Sequence, residues 1–263
     1  MINIDKYAYT SKLKNQDPIY KLTFSMLTLG VCVWADSILV SVLVLMVMCW
    51  YTVYKGGIRF SLIIKLLIIP MSFLILGVLT VGFNVSKDQS IFLLSIPAFG
   101  TNVGVSRLGI LNAMQLFFKA LGAVSCLYYL SLSTPMVDLF AVLRKIKVPS
   151  LIIELMSLIY RFIFVLIETA DTIYTSQNSR LGYSNLSSGY RSMAALASTL
   201  FIRAYKRSDE LYTSLEARGY DGEINVVEEH FETHWTKYIP IVIIVLFLIL
   251  VKFLTKQFTG GTF

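Results

Sequence analysis

Charge is what this sequence has least of. Lys, Arg, Asp and Glu make up 15% of its 263 residues, where a water-soluble domain carries about a quarter. With hydrophobic residues at 56% and a mean hydropathy of +0.69, that shortage excludes a chain solvated by water alone. It points to several lipid-embedded spans joined by polar segments. Cysteine is scarce too. Cys32, Cys49 and Cys126 lack CxxC spacing and each falls inside an apolar run, so they read as small apolar residues rather than redox or metal ligands. No GxxxxGK[ST] loop occurs, which excludes an ATPase site of the chain's own. The opening residues 1–21 are polar and charged, unlike a signal peptide, so the first span is expected to serve as its own insertion signal.

What is there in abundance is apolar sequence, in runs at 22–35, 38–54, 62–83, 108–132 and 238–254. Within the last run, 241–251 is unbroken Ile, Val, Leu and Phe, favouring insertion by about 3–7 kcal/mol in sum. The mixed stretch 84–106, with Pro97, reads as an outer loop with a short dipping segment. Charge sets the sense of insertion. With the N-terminus inside, 18 of the 23 Lys and Arg lie on the cytoplasmic side, as the positive-inside rule requires. The same placement accounts for the net charge of +7 without nucleic acid, since no basic stripe alternates with exposed aromatics. The expected fold is an all-α integral membrane protein of about five transmembrane helices in the inner (plasma) membrane. A cytoplasmic segment 1–21 leads into four spans over 22–132, a cytoplasmic region over 133–235, and a final span with its tail over 236–263.

The region 133–235 holds 22 of the chain's 39 charges, yet keeps helical periodicity. Met136, Leu139, Leu143 and Ile146 mark a short helix that stops at Lys147-Val148-Pro149. A long helix follows from Ser150, carrying Leu151, Leu155, Leu158, Phe162, Val165 and Ile173 towards Arg180. Its middle, 151–167, is apolar enough to suggest a further span. Glu154, Arg161 and Glu168 oppose that, at about 2.5–3.5 kcal/mol for a charge near the bilayer centre, so the helix is placed along the membrane face. A third helix from near Tyr190 carries Met193, Leu196, Leu200, Leu211 and Leu215 and ends at Arg218-Gly219. The stretch 220–235, with five acids and no Lys or Arg, reads as a solvated strap.

Two of these helix endings are alike. One reads Gln177-Asn178-Ser179-Arg180-Leu181-Gly182-Tyr183, the other Ser214-Leu215-Glu216-Ala217-Arg218-Gly219-Tyr220. A single such ending is ordinary helix termination: Arg suits the C-terminal dipole, and Gly beyond it is the usual left-handed cap. Two of them in one cytoplasmic region also suit a docking surface, because a guanidinium fixed at a helix tip pairs bidentately with a partner's carboxylates. Other candidates are weaker. His230 and His234 stand one helical turn apart, but His230-Phe-Glu-Thr-His234 is not HExxH, which excludes a zinc protease. Lys119, near the middle of the fourth span, requires a partner within the bundle, a water-filled crevice, or a contact with another membrane subunit.

On these residues the chain resembles the transmembrane T component of energy-coupling-factor (ECF) transporters, of the CbiQ type that serves cobalt or nickel uptake. The resemblance runs over nearly the whole chain. It rests on the opening from Asp5 through Asp17-Pro18 to Lys21, on Ser133-Thr134-Pro135, Leu143-Arg144, Val148-Pro149, Tyr160-Arg161 and Glu168, and on the two arginine endings. Ala217-Arg218-Gly219 matches the family's Ala-Arg-Gly signature, whereas Ser179-Arg180-Leu181-Gly182 departs from it by Ser for Ala and by Leu between Arg and Gly. What the resemblance implies is a non-catalytic subunit that binds no cofactor itself. Two cytoplasmic ATPase subunits would hold ATP and Mg and dock on Arg180, Gly182, Ala217, Arg218 and Gly219 of the coupling helices. A CbiM-like substrate-binding S component would carry the cargo, with Lys119 as a candidate contact, and a small accessory membrane subunit is compatible with the scheme. Cobalt is the expected cargo, with nickel or a vitamin as alternatives. A membrane enzyme would need catalytic side chains gathered at one depth, and Asp36, Asp88 and Lys119 are too sparse. A stand-alone transporter would show paired repeats with interrupted spans, and none is found.

Overall fold

The structure, a computed structural model, describes residues 4–86, 92–98, 101–221 and 238–258. The chain divides into two compact units, Met1–Leu139 with His230–Phe263, and Phe140–Glu229.

The first unit begins with α1 (Ile4–Thr10) and α2 (Pro18–Ala35). Sequence dictates where α2 starts: Asp17 caps it, its carboxylate accepting the Ile19 N–H at 2.9 Å, and Pro18 occupies the first turn, where a missing N–H costs nothing. The helix stops at Asp36, which turns left-handed at φ 47°. Helix α3 (Ile38–Trp50) continues as a π-helical turn, Tyr51–Lys55, and ends at Gly56-Gly57. Helices α4 (Phe60–Gly82), α5 (Arg107–Ser133) and α9 (Ile239–Phe258) complete the unit. Helix α5 packs against α2, α3 and α4. Its contact face includes small residues: a Cβ on Gly122 would stand 2.9 Å from Cys32 Sγ and 3.0 Å from the Ser41 carbonyl. The Ser25 hydroxyl donates to the Cys126 carbonyl at 2.8 Å. Close backbone approach through small residues and interhelical hydroxyl bonds is how helices adhere where lipid removes the hydrophobic drive. Nearer the N-terminus of α2, Phe24, Tyr51 and Tyr129 pack ring to ring at centroid distances of 5.0–6.4 Å.

Between α4 and α5 the chain forms an antiparallel sheet of β1 (Phe83–Ser86), β2 (Phe92–Ala98) and β3 (Thr101–Ser106), in the order β1–β3–β2. This corrects the expected outer loop with a dipping segment. Phe, Leu and Ile in β2 favour strand, and Pro97 is tolerated because β2 lies at the sheet's edge.

In the second unit lie most of α6 (Met136–Lys145), then α7 (Ser150–Ser179) and α8 (Leu186–Ala217). Helix α6 stops where Lys147 turns left-handed (φ 65°), and Pro149 precedes α7. The Phe140 and Tyr160 rings meet edge to face at 6.0 Å. Helix α8 begins four residues before the expected Tyr190, at Leu186 after Asn185.

The chain is an all-α integral membrane protein throughout its spans. Among the described residues, five helices are long and apolar enough to cross a membrane: Pro18–Ala35, Ile38–Lys55, Phe60–Gly82, Gly109–Ser133 and Ser150–Ser179. The number agrees with expectation but the membership differs. Helix α7, expected along the membrane face, satisfies length and composition, while the C-terminal span is the shorter apolar helix Ile239–Thr255.

Candidate functional site

The two arginine endings fold to one geometry. At the end of α8, the Tyr220 N–H donates to the Leu215 carbonyl at 3.1 Å and the Gly219 N–H to the Glu216 carbonyl at 3.0 Å. That pair of bonds is a Schellman motif, with Arg218 at the C-cap and Gly219 left-handed at φ 76°. At the end of α7, the Gly182 N–H donates to the Gln177 carbonyl at 2.8 Å and the Leu181 N–H to the Asn178 carbonyl at 3.0 Å. Arg180 is the C-cap and Leu181 the left-handed residue, at φ 57°. The equivalent of Gly219 is therefore Leu181, not Gly182. The extra Leu between Arg and Gly is no insertion: the two arginines coincide and the glycines do not.

Gly182 has a separate reason to be glycine. A Cβ there would stand 2.7 Å from Ser192 Oγ and 2.8 Å from the Gln177 carbonyl. Its own carbonyl accepts the Ser188 hydroxyl at 3.0 Å and the Ser192 hydroxyl at 2.9 Å, which ties the end of α7 to the first turns of α8.

In both motifs the backbone N–H groups satisfy the last carbonyls, so neither guanidinium is needed as a cap. Arg180 and Arg218 are exposed, and among the described residues no ion pair engages either one. What holds the tips is the tyrosine that follows each glycine. The Tyr183 hydroxyl donates to Gln177 Oε1 at 2.8 Å, and Gln177 Nε2 donates to the Ser192 carbonyl at 3.0 Å. The Tyr220 hydroxyl donates to Glu154 Oε2 at 3.2 Å, and Glu154 is buried in the first turns of α7. Spacing alone singled out neither Gln177 nor Glu154 as an anchor, because Gln177 acts through Ser192 of the next helix and Glu154 on Tyr220 at the far end of α8.

These contacts also fix the hairpin. Gln177 meets the start of α8 and Glu154 meets its end, so α7 and α8 run antiparallel with one arginine tip at each end. At 1.5 Å per residue, the 30 residues of α7 put the tips roughly 45 Å apart. The structure does not bring Arg180 and Arg218 into one site. It holds them as two separate, similarly built points.

A model of the CbiQ cobalt transport protein family matches residues 10–229. The chain belongs to the CbiQ family. Among its relatives, an uncharacterized protein of Methanocaldococcus jannaschii is 34% identical over 97% of this chain and 94% of its own length. The cobalt transport protein CbiQ of Salmonella typhimurium is 34% identical over 60% of this chain and 70% of its own. A putative fused cobalt transport protein CbiMQ of Methanocorpusculum labreanum is 29% identical over 86% of this chain and 38% of its own. Other relatives bear the name energy-coupling factor transporter transmembrane protein EcfT, at 29–34% identity over 44–58% of this chain.

In this CbiQ-family chain the remaining candidate, Lys119, lies in the other unit. Its ammonium pairs with the Asp36 carboxylate at 2.6 Å, with side-chain exposures of 24% and 66%. Of the alternatives for this charge, the structure shows the partner within the bundle, Asp36 at the turn between α2 and α3. His230 and His234 lie outside the described residues, as does most of the acidic strap.

Proposed function

We propose that this chain is the coupling subunit of an ECF-type cobalt importer, transmitting the motion of two cytoplasmic ATPase subunits to a CbiM-like substrate-binding subunit in the membrane. The observation that carries this reading is the pair of exposed guanidiniums at opposite ends of one helical hairpin, neither engaged by an ion pair among the described residues. Each is set on a cap of the same hydrogen-bond pattern and anchored by a tyrosine. Such tips suit two separate partners offering carboxylates. A fused CbiMQ relative supports CbiM as the membrane partner, and the names of the relatives support cobalt as cargo.

In this scheme the N-terminus and the α6–α8 region face the cytoplasm, and the membrane is the inner (plasma) membrane. Helix α7 lies at that face rather than across the bilayer, since Arg161, Glu168 and the Glu154–Tyr220 contact are poorly suited to hydrocarbon. The ATPases bind ATP and Mg and do the hydrolysis, while this chain has no catalytic role. As they close on nucleotide, the tips move with them and the hairpin acts as a rigid lever. Lys119, already paired with Asp36, contacts the substrate-binding subunit only as part of that pair. A small accessory membrane subunit fits the same plan.

The test is co-purification with the two ATPases and cobalt(II) uptake by the assembled complex. The double variant Arg180→Glu with Arg218→Glu sets like charge against the partners' carboxylates, a juxtaposition that costs several kcal/mol. It is expected to abolish capture and uptake while the chain remains folded in the membrane. Intact capture with wild-type uptake would overturn the reading.

A further inference from the structure

Lys21 is a charge that the docking scheme does not use, and it is fully buried. Its ammonium donates to the Leu13 carbonyl at 3.2 Å and to the Ser133 carbonyl at 3.0 Å. These acceptors belong to two distant pieces of chain. Leu13 lies between α1 and α2, and Ser133 is the last residue of α5. The Ser133 carbonyl is one of those that a helix leaves without an internal donor at its C-terminus. Asp17 and Pro18, by fixing the start of α2, put Lys21 one turn inside the helix and aim it at the end of α5.

A cation in that place is costly twice over. It is removed from water, and it sits in the first turns of a helix, where the dipole disfavours positive charge. Asp17 and Asp138 offset part of that cost electrostatically. Packing alone calls for no charge there, because replacing a buried ionic group with an apolar side chain of similar volume is often neutral or stabilising. The location suggests a different use. Ser133 and Thr134 lead through the buried Pro135 into α6, and the boundary between the two compact units falls inside that helix, after Leu139. One of the two stretches of chain that join the α7–α8 hairpin to the spans is the one through α6 and the end of α5.

We propose that Lys21 is a positioning residue for coupling. It pins the C-terminal end of α5 to the N-terminal segment, so that movement arriving through α6 turns α5 about a fixed point instead of being lost as slack. This inference rests on the coupling reading above.

The test uses the complete complex with its ATPases and substrate-binding subunit in lipid nanodiscs. Fluorophores are placed at Met114→Cys on α5 and Tyr54→Cys on the π-helical turn, both exposed positions, with the native cysteines replaced. Energy transfer is read before and after ATP with vanadate, so no assumption about cargo enters. The expected result for Lys21→Met is unchanged ATPase capture, with an unfolding temperature lowered modestly because the Leu13 and Ser133 carbonyls lose their donor. Its nucleotide-driven change in transfer should fall about twofold or more relative to the unsubstituted complex. Full-amplitude movement in Lys21→Met would overturn the proposal. Loss of capture with a lower unfolding temperature would overturn it as well, by making Lys21 a plain structural clamp. The double variant Arg180→Glu with Arg218→Glu, run in parallel, separates the two ideas. If it keeps capture and movement, or if the unsubstituted complex shows no movement, the coupling reading itself fails. If the double variant loses capture while Lys21→Met moves normally, only the role of Lys21 fails.

Discussion

Leu181 stands at φ 57° where its counterpart Gly219 stands at φ 76°. For a side chain with a Cβ, that left-handed conformation costs about 1–2 kcal/mol. Leu181→Gly is therefore expected to stabilise the chain by about 1 kcal/mol, and Gly219→Ala, where nothing crowds the added Cβ, to destabilise it by about as much. Equilibrium unfolding of the two variants in detergent, read by helical circular dichroism, checks both signs. A destabilised Leu181→Gly would mean that the exposed leucine makes a contact worth more than its strain. The same pair of residues shows why letter spacing misaligned the endings. Glycine normally marks the left-handed cap, so matching Gly182 to Gly219 was the natural reading of the letters. The hydrogen bonds instead align the arginines, and Gly182 answers to the close approach of Ser192, a contact 10 residues away that no local pattern announces.

At the scale of elements, Pro70 interrupts α4 without leaving an orphan. Proline has no N–H to offer the carbonyl four residues earlier, which is that of Leu66, and the Tyr128 hydroxyl from α5 donates to that carbonyl at 3.0 Å. Tyr128→Phe should cost about 1–3 kcal/mol, the penalty of leaving a buried acceptor unpaired, and should loosen α4 from α5. Faster amide hydrogen exchange confined to the middle of α4 is the expected signature, and unaltered exchange there would refute the link. The helices themselves were largely legible. Apolar runs ending at Asp36-Ser37, Gly56-Gly57 and Lys147-Val148-Pro149 locate α2 to α7 within a few residues, because lipid demands long apolar runs and because glycine, proline and capping residues end helices. The sheet between α4 and α5 was not legible, since its pairing joins strands across connecting segments and has no helical period. Nor was the standing of α7, whose apolar middle and flanking charges point in opposite directions.

For the whole molecule, the separation of the tips has a consequence that neither arginine reveals alone. If Arg180 and Arg218 served one shared surface, reversing either charge would cripple the same contact, and the assembled complex would lose both ATPases together. Roughly 45 Å of hairpin lies between them, anchored at one end by Gln177 and Tyr183 and at the other by Glu154 and Tyr220. On the coupling reading proposed above, each tip then reports on its own partner. Arg180→Glu and Arg218→Glu, as single variants, should each yield a complex that retains one ATPase in place of two when its mass is measured in detergent. Each loss should be partial rather than complete at high ATPase concentration, because ATPases that pair with one another keep the second copy nearby even when its tip is lost. Raising the salt should weaken the remaining contact further, since an exposed guanidinium–carboxylate pair is screened within about 8 Å at physiological ionic strength. Simultaneous loss of both ATPases from either single variant, at every concentration, would argue that the hairpin presents one composite surface and that the two caps are alike only because helices end alike.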